Sequence, residues 1–374
     1  MVELAVILPT RVFGGHEKML VGWLRSAVER HGLRVTIYAS ENPQLARECE
    51  AAGLGRPVVT YRGPAAPLRD FCVTWRLLGR VPADAPLLLA PGALQQALLQ
   101  WLATFLRRRS VAGYVPMAYA SRHMRFRGGW VRDWIAGSVI RRVDLWITIT
   151  AEQRALLLER WRVPSAAVFV VPNRLPFLDR DGVHAPALED RRLHVLFAGR
   201  FDPCQKGLDW LCDVLRARAS DWVGRVRFTF KGHGRFEAEL LRLRRDLGNE
   251  HVDVQPWGDV GTAMAQADVL LLPSRYEGLP LVALEAAHYG VAIAASKGAG
   301  LSGLVPPSCL FEFGDERGLW TALQGLSDAP RRAAAVAFSR NRVRQTLSPA
   351  SFRDAVERVV VAFARMPGDR RPAG

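Results

Sequence analysis

Cysteine is scarce and unpatterned. Five are present, at 49, 72, 204, 212 and 309, an odd number with no Cys-x-x-Cys pair. That spacing gives no basis for a disulfide framework or a structural zinc site, and reduced thiols in a cytosolic protein are the expectation. Long apolar runs are missing too. The longest uncharged stretch, 85–106, is interrupted by Pro86, Pro91, Gly92 and three glutamines, whereas a spanning helix needs about 20 predominantly apolar residues. It reads instead as a buried strand at 87–90, a Pro-Gly turn and an amphipathic helix ending in Arg107-Arg108-Arg109. The N-terminus has an acid, Glu3, where a signal peptide carries basic residues, and is expected to be a first strand. Acidic residues are outnumbered, 36 against 51 Lys+Arg. The imbalance is uneven: residues 1–174 hold 24 basic and 12 acidic groups, the remainder 27 and 24. Such asymmetry points to something anionic meeting the first half.

What is present is a folded, two-domain pattern. The chain of 374 residues is 49% hydrophobic and 23% charged, which excludes a disordered polymer, and its length suits two domains at roughly 150 residues each. Apolar strand-like runs at 4–9, 35–38, 58–61, 87–90, 111–115, 145–149 and 168–171 alternate with helical segments such as 17–30 and 152–160. A Pro-, Asp- and Gly-rich break follows, and the alternation restarts at 193–198, 226–230, 252–254, 269–272 and 291–295. Strand–helix alternation implies parallel sheets covered by helices. The expected organisation is therefore α/β with two doubly wound, Rossmann-like domains joined by a linker. Their bounds are 1–176 and 191–349, with a linker at 177–190. The last stretch, 350–374, carries an amphipathic helix at 351–364, expected to pack back on the first domain, and an unstructured tail.

In doubly wound sheets ligands bind at the carboxyl ends of strands. After the strand 193–198 comes Gly199-Arg200-Phe201-Asp202-Pro203-Cys204-Gln205-Lys206-Gly207, then a helix. An arginine fork and a compact lysine charge near a helix start suit a diphosphate; the loop alone fits two surface cations equally well. After the strand 269–272 comes Pro273-Ser274-Arg275-Tyr276-Glu277-Gly278-Leu279-Pro280-Leu281-Val282-Ala283-Leu284-Glu285. Pro280 suits a helix start, whose uncapped amides bind anions. Carboxylates at Glu277 and Glu285 beside a phosphate site are suited to sugar and ribose hydroxyls.

The pair Glu277 and Glu285, separated by seven residues, with Gly199-Arg200 and Lys206-Gly207, resembles the retaining family 4 glycosyltransferases of GT-B fold. Gly14-Gly15 after the first strand, Val171-Pro172-Asn173, Lys231-Gly232-His233-Gly234, Trp257-Gly258-Asp259-Val260 and Ala267-Asp268 follow the same order. The resemblance implies a hexosyl transfer from a nucleotide-sugar donor to a glycan or lipid-linked acceptor, with no cofactor and no metal, in cell-surface polysaccharide or glycolipid synthesis. It implies that Arg200 and Lys206 hold the leaving diphosphate, assisted by the Leu281 and Val282 amides and the Gly278-Leu279-Pro280 turn. Glu277 would bind the donor sugar, Glu285 the ribose, and Trp257-Gly258 the base. Gly232 would belong to the strand-end loop. Gly14 and Gly15 would admit the phosphate closely, since glycine lacks a Cβ. Where the family often has a histidine, this chain has Tyr119, with His123 and His16 as further candidates, each also readable as an ordinary loop residue. A non-catalytic nucleotide-sugar-binding scaffold, an epimerase or a phosphorylase of the same fold remain alternatives.

Asp179-Arg180-Asp181 resembles a metal-binding Asp-x-Asp, but it falls in the expected linker, so no metal role is assigned to it. From 107 to 142 nine arginines accompany a single acid, Asp133. Mixed with them are Trp101, Phe105, Met124, Phe126, Trp130, Trp134 and Ile135. Arginine with tryptophan suits an anionic membrane surface; a solvated basic face over core tryptophans is the alternative. No RNA-binding module is visible, and nucleic acid is not expected as a partner.

Overall fold

In a computed structural model of the chain, which describes residues 3–119, 121, 124, 128–175 and 192–366, the strands form two wholly parallel sheets. The expected linker 177–190, with Asp179 and Asp181, and the tail 367–374 lie outside these residues, as does His123. The chain divides into two units, Met1–Arg174 together with Pro349–Gly374, and Leu175–Ser348.

The first unit contains β1 (Glu3–Leu8), β2 (Arg34–Ser40), β3 (Val58–Tyr61), β4 (Leu87–Leu89), β5 (Val111–Tyr114), β6 (Leu145–Thr148) and β7 (Val168–Val170), in the order β3-β2-β1-β4-β5-β6-β7. Strands β1, β4, β5 and β6 are almost entirely buried, the signature of a parallel sheet covered on both faces. Trp101 and Trp146 pack together in its core, with ring centroids 5.3 Å apart. The helix Pro349–Ala364 belongs to this unit, and its buried Phe363 stacks on Trp23 of the helix Gly15–His31 at 6.5 Å.

The second unit contains β8 (Leu193–Arg200), β9 (Val226–His233), β10 (Val252–Pro256), β11 (Val269–Leu272), β12 (Ala292–Ser296) and β13 (Leu310–Phe311), in the order β10-β9-β8-β11-β12-β13. In both sheets the order reverses once, between β1 and β4 and between β8 and β11. Those reversals are the topological switch points where doubly wound sheets open a crevice at their carboxyl ends. Two helices carry no expectation from the sequence, Glu316–Ser327 and Ala329–Thr346. The latter buries only Ala335, Ser339 and Val343, so its apolar stripe is too thin to read.

Candidate active site

The carboxyl ends of β10, β9, β8 and β11 stand side by side, and each delivers part of the sequence-expected site. At about 4.8 Å per strand, this row is about 14 Å long.

At the β8 end, Gly232 of β9 sits in register with Gly199. A Cβ at Gly232 would overlap the Gly199 carbonyl oxygen, so the two loops can lie this close only with glycine there. Asp202 then caps a one-turn helix, Pro203–Lys206, accepting the Gln205 amide at 2.8 Å. The turn ends at Gly207, whose φ of 68° is left-handed. This folding aims Gln205 and Lys206 inward, both buried, while Arg200 stays exposed.

Those inward groups meet the loop after β11. Lys206 Nζ forms an ion pair with Glu277 Oε1, with both side chains almost wholly buried. Ser274 Oγ donates to the same oxygen at 3.1 Å. Gln205 Nε2 donates to Glu277 Oε2 at 3.5 Å, and its Oε1 accepts from Arg200 at 2.9 Å. The result is a chain of polar contacts, Arg200–Gln205–Glu277–Lys206, across the β8/β11 switch point. The sequence reading gave Arg200 and Lys206 to the diphosphate and Glu277 to the sugar; the fold places all three in one network and adds Gln205 and Ser274. Both additions stand within the quoted motifs, but nothing in their type marks them out from other loop polars.

Arg275 braces this network from behind. Its guanidinium donates to the carbonyls of Pro203 and Cys204 at 2.8 and 2.7 Å, makes a two-pronged pair with Asp209 at 2.8 Å, and lies 4.4 Å from the Phe313 ring centroid. Its own amide donates to Gln205 O at 2.9 Å. One planar fork thus fixes the β8 loop against the β11 loop, a task lysine's point charge does not reproduce. Replacing Arg275 by Ala is expected to weaken nucleotide binding about tenfold with only partial rescue by Lys, measured by calorimetric titration. Affinity unchanged in both variants would remove Arg275 from this role.

Pro280 is the N-cap of the helix Leu281–Tyr289, and no side chain caps this helix. The Leu281 and Val282 amides therefore head a helix start suited to an anion. Gly278 and Leu279 are buried in the turn before it, and Glu285 is half-buried on the helix itself. Trp257, after β10, is half-exposed and meets His233 edge-on at 6.5 Å, with Gly258 beside it. Among the described residues no cluster of three or more His, Cys, Asp or Glu is placed to hold a metal ion.

In the first unit Gly14 is the N-cap of Gly15–His31, and its amide donates to the buried Glu17 carboxylate at 2.8 Å. His16 stacks on Tyr114, at the end of β5, with centroids 5.1 Å apart, and Nε2 lies 3.1 Å from Ala90 O, just past β4. A carbonyl only accepts, so Nε2 carries the proton. Burial lowers the His16 pKa against the pull of Glu17 and Ala90, which leaves a neutral ring whose buried Nδ1 has no partner among the described residues. His16 is thus held at the β1/β4 switch point, a placement the sequence did not distinguish from a solvated loop histidine. Tyr119 is half-buried in the segment after β5.

Comparison with known proteins agrees with this layout. The chain has a TM-score of 0.74 to Anabaena Alr3699/HepE in complex with UDP-glucose, at 16% identity, covering 97% of this chain and 100% of that one. For the lipopolysaccharide outer core galactosyltransferase WaaB the score is 0.70 at 15% identity, covering 96% and 99%. The sucrose-phosphate synthase of Thermosynechococcus elongatus gives 0.68 at 16% identity, covering 96% and 98%. A Klebsiella pneumoniae protein described as an uncharacterized 41.2 kDa protein in the cps region is 34% identical over 120 residues, about 30% of the length of each chain. The two parallel sheets have the GT-B layout of the glycosyltransferase structures, and residues 192–328, which hold the Arg200–Gln205–Glu277–Lys206 network, match the family of glycosyl transferases group 1.

Proposed function

We propose that the protein is a glycosyltransferase that moves a hexosyl unit from a nucleoside-diphosphate sugar to a glycan or lipid-linked glycan. The reaction retains anomeric configuration, needs no metal ion and takes place on the cytoplasmic side. The observation that carries this reading is the contact of Lys206 with Glu277 at the β8/β11 switch point, one group suited to the leaving phosphate and the other to sugar hydroxyls. UDP and UDP-glucose are bound by the Anabaena protein, and the cps setting of the Klebsiella relative favours cell-surface polysaccharide as the product.

In this reading the bond from the anomeric carbon to the diphosphate oxygen breaks as the bond to the acceptor oxygen forms on the same face. The acceptor proton passes to the departing phosphate. Charge grows on that phosphate, where Arg200, Lys206 and the Leu281 and Val282 amides receive it. Such fixed donors favour the transition state over the ground state, since the charge they answer is larger there. Glu277 and Glu285 hold hydroxyls of the sugar and ribose and take no covalent part. The Trp257-Gly258 loop borders the base. Gly14, Gly15, His16 and Tyr119 are assigned to the acceptor-side unit's share of substrate binding.

Incubation with UDP-, GDP- and ADP-hexoses, chelator present and a bacterial lipid extract as acceptor source, tests the proposal. One donor class should be consumed, and the product should show the donor's anomeric configuration by proton NMR. Inverted product, or turnover only after a divalent ion is added, would contradict the mechanism. Nucleotide binding without turnover would favour the scaffold.

A further inference from the structure

One neutral side chain stands between a cation and an acid where the β8 loop meets the β11 loop. Gln205 is buried, and its amide accepts from Arg200 at 2.9 Å through Oε1 and donates to Glu277 Oε2 at 3.5 Å through Nε2. The two neighbours fix which end of the amide is which, because a guanidinium only donates and a carboxylate only accepts. The backbone of Gln205 is held separately. Its N–H donates to Asp202 Oδ1 at 2.8 Å, and its carbonyl accepts the Arg275 amide at 2.9 Å. Main-chain contacts thus set the course of the loop, and the side chain answers the two charges.

The residue type suits these neighbours. An amide offers an acceptor to one and a donor to the other while carrying no charge. A carboxylate at 205 would pair with Arg200 and cancel its charge, and it would stand against Glu277, where like charges repel. A cation at 205 would repel Arg200 and crowd a carboxylate that Lys206 already pairs. An apolar side chain of the same length would leave the guanidinium without this acceptor and open its path to Glu277. Arg200 is exposed, and a long exposed side chain samples many rotamers unless something holds it. Lys206 is different, because its buried ion pair with Glu277 already fixes it. Of the two cations in the loop, Arg200 is therefore the one that depends on the amide.

We propose that Gln205 is a positioning residue for the transfer reaction. Its neutral amide aims the Arg200 guanidinium at the donor's diphosphate and keeps it from collapsing onto Glu277. The role rests on the donor-site reading above and adds to it a residue that acts only through another. Its contribution exists only where Arg200 is present.

The test is a double-mutant cycle on the full chain with Gln205→Met, which keeps the length and bulk of the side chain and lacks the amide. Wild type, Q205M, R200A and R200A/Q205M are titrated calorimetrically with uridine, guanosine and adenosine diphosphates. Values of kcat and KM for sugar transfer are measured on the same four proteins. Q205M should weaken the nucleotide that binds wild type about tenfold, the worth of one hydrogen bond to a charged group, and should lower kcat as well. In the R200A background the same change should move affinity and kcat by less than about twofold, the scatter expected of uncoupled sites. Q205L, of similar volume, is carried through the same cycle, so the result does not depend on one variant folding. Q205M and Q205L equal to wild type would overturn the role. So would an equal loss in both backgrounds, which marks a residue that serves the loop or Glu277 and not Arg200. Wild type that binds none of the three nucleotides fails the donor-site reading itself and takes the Gln205 role with it, so the wild-type titration tells the two failures apart.

Discussion

Replacing Lys206 by Ala should lower kcat/KM for sugar transfer by about 10²–10³-fold, the range observed when one preorganised donor to a developing anion is removed. The same change leaves Glu277 without its ion-pair partner in a buried site, and breaking such a pair costs about 3–5 kcal/mol of stability. Activity loss and destabilisation therefore arrive together and need separating. The double variant K206A/E277Q, read against E277Q alone because Glu277 is itself assigned to the donor sugar, does so: it removes the stranded charge while Ser274 and Gln205 still have an amide to contact. It should recover most of the lost thermal stability and none of the activity. Recovery of transfer in the double variant would show that Lys206 serves the fold alone.

Replacing Gly207 by Ala should be strongly damaging. Gly207 is left-handed, at φ 68°, and a Cβ there would overlap the carbonyl oxygen of Pro273 and press on the Phe313 ring. The backbone term is roughly 1–2 kcal/mol and overpacking typically adds about 1–3 kcal/mol. Together they predict about 2–5 kcal/mol, a fall in Tm of about 5–15 °C for a unit of this size. Nucleotide affinity should fall as well, since the clash pushes the β8 loop from the β11 loop. Gly224 is the control: it too is left-handed, at φ 80°, but a Cβ there meets nothing within 4 Å. Gly224→Ala should cost the backbone term alone and leave affinity intact. Equal effects at both positions, read by thermal unfolding, would mean that the loop contact contributes nothing.

Much of this layout was legible in the residues. The strands announce themselves as short apolar runs because a parallel sheet buries both faces, and the wholly buried β6 and β11 fall where those runs do. The loops of the second unit are readable because their chemistry is concentrated: two cations in one loop and two acids in the next. Gln205, Arg275 and Phe313 were not readable. Their roles depend on which strand ends become neighbours, and Phe313 lies more than a hundred residues beyond the lysine loop whose glycine it packs. His16 shows the same limit. Its ring is fixed by Ala90, just past β4, and Tyr114, at the end of β5, and no local pattern announces a partner at that separation. The basic run divides for a related reason. Composition cannot tell Arg109, which satisfies buried carbonyls, from Arg141 and Arg142, which face water.

The central claim is that the row of strand ends in the second unit holds a nucleoside diphosphate through its own side chains. Calorimetric titration with uridine, guanosine and adenosine diphosphates in metal-free buffer, on wild type and K206A/E277Q, tests it most directly. The account predicts that one of the three binds the wild type and that its affinity is lost or strongly reduced in the double variant. Binding of none of them by folded wild-type protein, or equal binding by both proteins, would contradict it.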